Sequence, residues 1–409
     1  MKKPIVTALF LIFAFWGSSQ DSVLTIEQAV QSAFVRNPEL QQLRARLKQR
    51  TNLRKTESGI SAPEVSYMKE GIGNGLFDEK RVSISQEMDF PLTTSYRLKG
   101  ISEEIKAMEN EVRFMEKEIK ADVKISYAEV LYALYMLRLR QEEQNNAHDM
   151  YNAVFTKYET GMATGIDLAN AELRLEEAKN DMDQSTWLLH KARYSLFYFM
   201  GLPENEQLYT ISFTDTLLVS DLDFSEIQSL SSKGNQPLVL ATQHEQKASE
   251  YYLKEARSNI LPDLRVSLYK QNYGDGYNFR GFEVGLQIPL WYPLEQKGRI
   301  NTATARQEEI EWKQQQVALD IKRQIESAWH NYSVSWSIIN RYHETMKGKA
   351  EQLKNLTLRA YQLGEVDLLH LINAQQVYLA SEQRYLGALR DYYIQLILLE
   401  KYLDQDLVY

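Results

Sequence analysis

Two stretches of the chain alternate apolar and polar side chains and then change, with almost no loop, to a helical pattern. The first stretch runs from Arg81 to Leu92 and the second from Phe279 to Leu294. Alternation at every second residue is typical of a β-strand with one apolar face. On the second strand that face comprises Phe282, Val284, Leu286, Ile288 and Leu290. Because the design occurs twice, the sequence predicts an internal repeat.

A proline marks each join between strand and helix, Pro91 in the first stretch and Pro289 in the second. Proline ends a strand readily and is tolerated in the first turn of a helix, where its missing N–H group is not needed. Beyond Pro293 we predict that the helical pattern continues without a break as far as Gly348 and Gly364. At 1.5 Å per residue this predicts roughly 100 Å of helix, more than a compact domain accommodates.

Apolar residues then recur at alternating intervals of three and four residues, as in a coiled coil. In the first half they run from Leu98 to Leu137, with one slip, and resume in a return helix from Leu168 to Phe199. Glycine-containing turns separate each outgoing helix from its return helix. These turns contain Gly161 and Gly165 in the first half and Gly364 in the second half.

The resulting organisation is mainly α, with two units that each contain short helices, a β-hairpin and a long helical hairpin. We predict a signal peptide at 1–19, a first repeat at 20–203, a linker at 204–234, a second repeat at 235–403 and a tail at 404–409. The predicted strands are about 63–70, 81–92, 263–273 and 278–290, and the helical hairpins are about 94–200 and 294–402. A short helix from Thr25 to Arg36 and a second from Pro38 to about Ser58 come before the first hairpin.

Composition narrows the class of protein. A quarter of the residues are charged and mean hydropathy is −0.44, which argues against a helical membrane protein. The net charge of −8 argues against a nucleic-acid partner. The chain has no cysteine, which excludes thiol catalysis, Cys-ligated metal sites and a lipid-modified N-terminal cysteine. Lys2 and Lys3 followed by the apolar run from Ile5 to Trp16 predict a secretory signal peptide, cut before Gln20.

No constellation of residues predicts catalysis. The six histidines are scattered without the spacing of metal ligands, and no catalytic triad or phosphate-binding loop is present. Paired acids such as Glu142 and Glu143 lie on polar helix faces and are typical of solvated surface. We therefore predict a protein that is not an enzyme and holds no cofactor or metal.

The strands instead predict a shared barrel in a membrane. Each is long enough to cross an outer membrane at a tilt, but four strands are too few to close a barrel. Open strand edges cannot face lipid, because their backbone groups would be unsatisfied. Three chains would supply twelve strands, an allowed even number, and their helices would continue the barrel as a tube.

On these residues the chain resembles the TolC family of outer-membrane efflux proteins. The resemblance covers essentially the whole mature chain. The matching residues are Leu24-Thr25-Ile26-Glu27-Gln28-Ala29, Asn37-Pro38-Glu39-Leu40, Phe90-Pro91-Leu92, Ile288-Pro289-Leu290 and the Tyr-x-x-Gly turns that begin at Tyr158 and Tyr361. The resemblance implies a homotrimeric channel-tunnel with its barrel in the outer membrane and a helical tunnel in the periplasm. It also implies two partners, a periplasmic adaptor (membrane fusion protein) and an inner-membrane pump, and we favour a pump of the RND type.

The same resemblance assigns roles to the turns. Gly161, Gly165 and Gly364 would lie at the periplasmic tip where an adaptor docks, or would simply be turn glycines. Similar channels are constricted by aspartate rings, and the matching positions here are His370 and Asn373. Asp367 lies one turn away, and Asp167 is the equivalent residue in the first half. Three copies of Asp367 and His370 around an axis would form a pH-sensitive or cation-sensitive constriction, or His370 would be an ordinary solvated residue.

Two other functions remain open. The chain could be the exit duct of a type I protein secretion system, which has the same architecture. A periplasmic coiled-coil adaptor or scaffold explains the heptads, but it does not explain the alternating strands. Within the channel interpretation we favour heavy-metal export, because relatives of this modest length often serve metal pumps.

Overall fold

The computed structural model describes residues 23–71, 79–203, 212–213, 236–274, 277–288, 292–403 and 407, with side chains omitted for 292–294. The predicted signal peptide, Pro289, nearly all of the linker at 204–234 and nearly all of the tail at 404–409 lie outside these residues. Within the described part the fold is mainly helical, with two β-hairpins and two long helical hairpins, which confirms the predicted fold class.

The elements follow one another in the order that the sequence predicts. The first half contains β1 (Val23–Leu24), α1 (Ile26–Arg36), α2 (Pro38–Leu53), β2 (Glu64–Glu70), β3 (Glu79–Met88), α3 (Pro91–Glu159) and α4 (Gly165–Phe199). The second half contains β4 (Ser212–Phe213), α5 (Pro237–Ser258), β5 (Asp263–Asn272), β6 (Asn278–Gln287), α6 (Tyr292–Arg341), a π-helical turn (Tyr342–Met346), α7 (Lys347–Leu363) and α8 (Leu368–Leu403).

Several predicted boundaries are wrong. α2 ends at Leu53 rather than near Ser58, β3 ends at Met88 rather than at position 92, and β6 ends at Gln287 rather than at position 290. Alternation of side chains continues beyond β3, but Pro91 is already the first residue of α3, where its fixed φ favours the helix. Gly348 does not break the long helix and instead lies inside α7, because an interior glycine costs only about 1 kcal/mol. The long helix is instead irregular at the π-helical turn from Tyr342 to Met346, just before α7.

The predicted apolar seam is the core of the first half. α3 packs against α1 and α4 through a cluster of buried residues that includes Ile119, Val123, Tyr127, Val130 and Leu196. Burial of one such large side chain contributes about 1.5 to 3 kcal/mol. In the second half α6 and α8 pack through an aromatic cluster that includes Tyr332 and Tyr392, whose ring centroids are 5.1 Å apart.

A buried ion pair joins the two halves. Lys124 on α3 places its Nζ atom 2.6 Å from Oε1 and 2.8 Å from Oε2 of Glu400 on α8. The two side chains are only 6% and 7% exposed. Lys120 lies 3.3 Å from the same carboxylate, and the backbone N–H of Leu407 donates to its Oε2 atom at 3.2 Å.

The four long strands form one antiparallel sheet in the order β2-β3-β5-β6, so strands from the two halves pair in its centre. The register aligns Val65 with Ile84, Ile84 with Leu268 and Leu268 with Phe282, one residue from each strand. β2 and β6 are the edge strands of this sheet. Among the described residues, each of these two edge strands has only one neighbouring strand in this sheet.

Candidate channel surfaces and helical tip

One face of the sheet, called the outward face below, is apolar and exposed. Its aligned residues Val65, Ile84, Leu268 and Phe282 are 71%, 47%, 58% and 74% exposed. Val284 and Leu286 extend the same face along β6 and are also exposed. An apolar surface that spans four strands marks contact with lipid or with another protein.

The opposite face, called the inner face, carries every carboxylate of the four strands. Because side chains alternate along a strand, the register places on it Glu64, Glu70, Glu79, Glu87, Asp263 and Glu283. The inner face has only two arginines. Arg81 contacts Glu283 at 3.0 Å, and Arg265 contacts Glu64 at 3.1 Å. The inner face is therefore polar and acidic.

Arg81 is held in place by an aromatic ring as well as by a carboxylate. Its guanidinium carbon lies 4.1 Å from the ring centroid of Tyr269, a cation–π arrangement. The Tyr269 ring lies over Gly281 on the neighbouring strand, where an added Cβ atom would clash with the ring. Glycine at this position therefore permits the close approach of the ring. Sequence reasoning did not find this group, because its members come from three strands.

Pro91 occupies the first position of α3, as predicted for a join between strand and helix. The join is supported by Arg97, one turn and a half into the helix. Its Nη1 atom lies 2.6 Å from Asp89, just before the join, and its Nε atom lies 2.7 Å from Glu255 on α5. Arg97 therefore connects the end of β3 to both α3 and α5.

The predicted turn glycines at the far end of the helices have left-handed backbones. Gly161 has φ 72° and Gly364 has φ 78°. The N–H of Met162 donates to the carbonyl of Lys157 at 2.8 Å, and the N–H of Glu365 donates to the carbonyl of Ala360 at 2.9 Å. These bonds satisfy carbonyls that the helix ends leave free. Gly165 is the first residue of α4.

The two turns pack on each other and form one tip. Met150 and Val154 on α3 share an apolar cluster with Tyr361 on α7 and Leu371 on α8. Lys157 adds a polar clamp, because its Nζ atom donates to the carbonyl of Tyr361 at 2.9 Å and lies 4.0 Å from the centroid of that ring. Local sequence patterns do not indicate this contact, because its two residues lie in different repeats.

Asp367 and His370 form a pair at the start of α8. Oδ1 of Asp367 accepts from the backbone N–H of His370 at 3.0 Å and lies 2.7 Å from its Nδ1 atom. Hydrogen bonding from His370, together with its charge, lowers the pKa of the Asp367 carboxyl. Both side chains are about two-thirds exposed. Asn373, three residues further on, is also exposed on this side of the helix.

Asp167 has a different environment. It forms a capping box with Thr164 at the start of α4, in which its carboxylate accepts from the backbone N–H of Thr164 at 2.9 Å. Burial, together with the charge of Asp167, raises the pKa of Tyr361. Asp167 is therefore placed at the contact between the two turns, and Asp367 with His370 and Asn373 at the start of α8.

An apolar outward face, an acidic inner face and two long helical hairpins are the features expected of an outer-membrane channel protein. A family model described as outer membrane efflux protein matches residues 29–201 and 231–405. The chain belongs to the outer membrane efflux protein family. This confirms the predicted resemblance, the outer-membrane location and the prediction that the chain is not an enzyme. None of the helices in the described residues is both long and apolar enough to cross a membrane.

Individual relatives are distant in sequence and close in structure. The cobalt-zinc-cadmium resistance protein CzcC of Cupriavidus metallidurans is 23% identical over 277 residues, which span 67% of this chain and 65% of CzcC. The matched segment is thus slightly less than two thirds of that relative. The outer membrane protein VceC of Vibrio cholerae is 15% identical with a TM-score of 0.81, covering 93% of this chain and 96% of VceC. The CmeC outer membrane channel of Campylobacter jejuni is 14% identical with a TM-score of 0.79, covering 98% and 94%.

Proposed function

We propose that three copies of this chain form the outer-membrane exit duct of a metal-ion efflux system. The barrel lies in the outer membrane and the helical tunnel extends into the periplasm. The tip formed by the turns at Gly161, Gly165 and Gly364 docks on a periplasmic adaptor, which couples the duct to an inner-membrane pump of the RND type. Transport through the duct is passive, and the pump supplies the energy.

The division of the sheet into an apolar face and an acidic face supports this proposal best. A lone chain exposes both edges of its sheet, and lipid cannot satisfy their backbone groups. Closure with two further copies gives twelve strands, with the apolar faces toward lipid and the carboxylates toward the lumen. A lumen lined in this way concentrates cations over anions.

The choice of metal ions as cargo has two supports. On the inner face six carboxylates outnumber two arginines, so the wall attracts cations. CzcC is named for resistance to cobalt, zinc and cadmium, metals that occur in water as divalent cations. Type I protein secretion would use the same architecture, but no contact of the described residues favours it.

Ion selectivity in planar bilayers tests the duct and its cargo class together. We expect stepwise conductance and a preference for K⁺ over Cl⁻ in the reversal potential. Glu64→Gln combined with Glu283→Gln leaves the two arginines facing four carboxylates, so the preference for K⁺ should fall. The matched double variant Glu64→Asp with Glu283→Asp retains the charge and should retain the preference.

Salt concentration provides a second control in the same recordings. The difference between the two double variants should shrink toward 1 M salt, where the screening length falls to about 3 Å. The absence of stepwise conductance would reject the duct, and equal selectivity of both variants would reject the acidic lumen as its filter.

We also propose that Asp367, His370 and Asn373, with Asp167 nearby, narrow the tunnel at its tip. Asp367→Asn removes the negative charge but retains a side chain that caps α8 well. We expect it to lower cation conductance at neutral pH. The matched control is Glu365→Gln, which removes a charge from the same turn, and we expect little change.

The pH dependence follows from the lowered pKa of Asp367. Its contact with His370 is fully present above the ordinary carboxylate range and is lost only as pH falls through the lowered pKa. Cation conductance that depends on this carboxylate should therefore persist below the ordinary carboxylate range in the native protein. In His370→Asn it should fall at a higher pH, because the side-chain hydrogen bond that lowers the pKa of Asp367 is lost. Identical pH profiles for the two proteins would contradict a constriction at this pair.

A further inference from the structure

The outward face of the sheet changes from apolar to cationic at the end farthest from the long helices. Lys69, Lys80, Lys270 and Arg280, one residue from each strand, are exposed there. In the register Lys69 lies opposite Lys80, and Lys270 lies opposite Arg280. Lys80 pairs with Asn272, two residues from Lys270, so the two pairs are diagonal neighbours. These four residues form a continuous basic patch.

The carboxylates of the sheet all lie on one face. All six carboxylates of the four described strands lie on the inner face, so none shares the outward face with the basic patch. Like charges directly opposite on neighbouring strands destabilise a sheet. Lys270 and Arg280 form such a pair, and an anionic ligand on this face would offset its cost.

The position of the patch indicates what kind of ligand it meets. The next residues toward the helices on the same face are Tyr67 and Val82, which lie opposite each other, followed by the apolar row of Val65 and Ile84. From Met88, at the helical end of β3, to Lys80 is about 27 Å along the strand at 3.4 Å per residue, which is about 21 Å of height at a strand tilt of about 40°. The lipid-facing apolar band of an outer-membrane barrel is about 25 Å tall. The basic patch therefore lies near the far border of that band, where long basic side chains can reach the headgroups.

We propose that the basic patch binds the phosphate groups of phosphorylated glycolipids in the outer leaflet of the membrane. Lysine and arginine side chains can lie along the apolar surface and place their charged ends at headgroup level. Arg280 can hold two phosphate oxygens at once, and Lys270 beside it adds a point charge. The assignment to the outer leaflet rests on the proposed orientation, with the helices in the periplasm.

Native mass spectrometry of the detergent-solubilised protein tests the site. The probe is lipid A that carries two phosphates, and the readout is its apparent dissociation constant. Lys270→Gln combined with Arg280→Gln should weaken binding about 30-fold, the effect expected for two cations beside an anionic lipid surface. The exchange variant, Lys270→Arg with Arg280→Lys, keeps both charges and should bind within a few-fold of the native protein.

The matched control removes two exposed charges from a helix, with Lys347→Gln and Lys349→Gln, and should not change binding. Lipid A without phosphates should bind the native protein at least as weakly as phosphorylated lipid A binds the Gln variant, which retains Lys69 and Lys80. This comparison uses native protein, so it decides the question even if the Gln variant fails to assemble. Equal binding of the two lipids, or of the patch variant and the helix control, would overturn the proposal. The measurement needs no membrane orientation and no pump, so failure here leaves the efflux proposal untouched.

Discussion

Replacement of Glu400 with Gln should lower the free energy of unfolding by about 3 to 5 kcal/mol, the usual cost of breaking a buried ion pair from one side. Lys124 is buried, so its ammonium group would lose the Glu400 carboxylate without gaining water. Lys120, 3.3 Å from the same carboxylate, would add like-charge repulsion. The measurement is guanidinium unfolding of the detergent-solubilised protein at a fixed concentration, since assembly contributes to stability.

An exposed ion pair on the same kind of helix provides the control. Lys322 and Glu326 are 3.9 Å apart and are 71% and 64% exposed. Glu326→Gln should change the free energy of unfolding by less than about 0.5 kcal/mol, because water screens such pairs. Lys124→Met combined with Glu400→Gln should lower the free energy of unfolding by less than the sum of the two single variants. The reason is that the double variant also removes the buried ammonium group that has lost the Glu400 carboxylate. Additive losses would show that the two residues act independently.

Replacement of Phe282 with Arg should be the most damaging single change on the sheet. Phe282 lies in the aligned apolar row and is 74% exposed, so in a barrel its ring meets hydrocarbon. An arginine near the bilayer midplane costs about 2 to 4 kcal/mol in barrels of this kind. Each closed barrel would contain three copies of the change. We expect little assembled protein in the outer-membrane fraction, measured as the amount that migrates as oligomer without heating.

Ser66→Arg places the same side chain on the inner face one residue from the apolar row. Ser66 shares only a 2.7 Å hydrogen bond with Ser83, so its loss should cost about 1 kcal/mol. Assembly of this variant should be close to normal, although its ion selectivity should change. Equal loss of assembly in both variants would mean that the outward face does not meet lipid.

The faces of the sheet and the glycine turns could be predicted because each is encoded locally. Alternation along one strand already separates Phe282 from Glu283, and a glycine after a heptad run already predicts a left-handed helix end. The order of the strands in the sheet could not be predicted from the pattern within any one strand. β3 pairs with β5 at residues such as Ile84 and Leu268, and only the repeat suggested that the two hairpins meet.

The contacts that join distant parts of the chain could not be predicted. Lys124 and Glu400 are 276 positions apart, and charged residues on long helices are usually solvated. Nothing in the local sequence of either residue indicates burial. The π-helical turn from Tyr342 to Met346 likewise has no proline or glycine within it. It coincides with an aromatic group in which Tyr342 stacks on Tyr385 at 4.2 Å, which is a tertiary contact.

The unpaired edges of the sheet have a consequence for inheritance. In the proposed barrel, β6 of each protomer must pair with β2 of the next, so one defective chain spoils two of the three seams. If a cell made normal and defective chains in equal amounts and mixed them at random, only about one barrel in eight would be free of defective chains. An allele whose product assembles but blocks the duct would therefore be dominant. An allele whose product never assembles would be recessive.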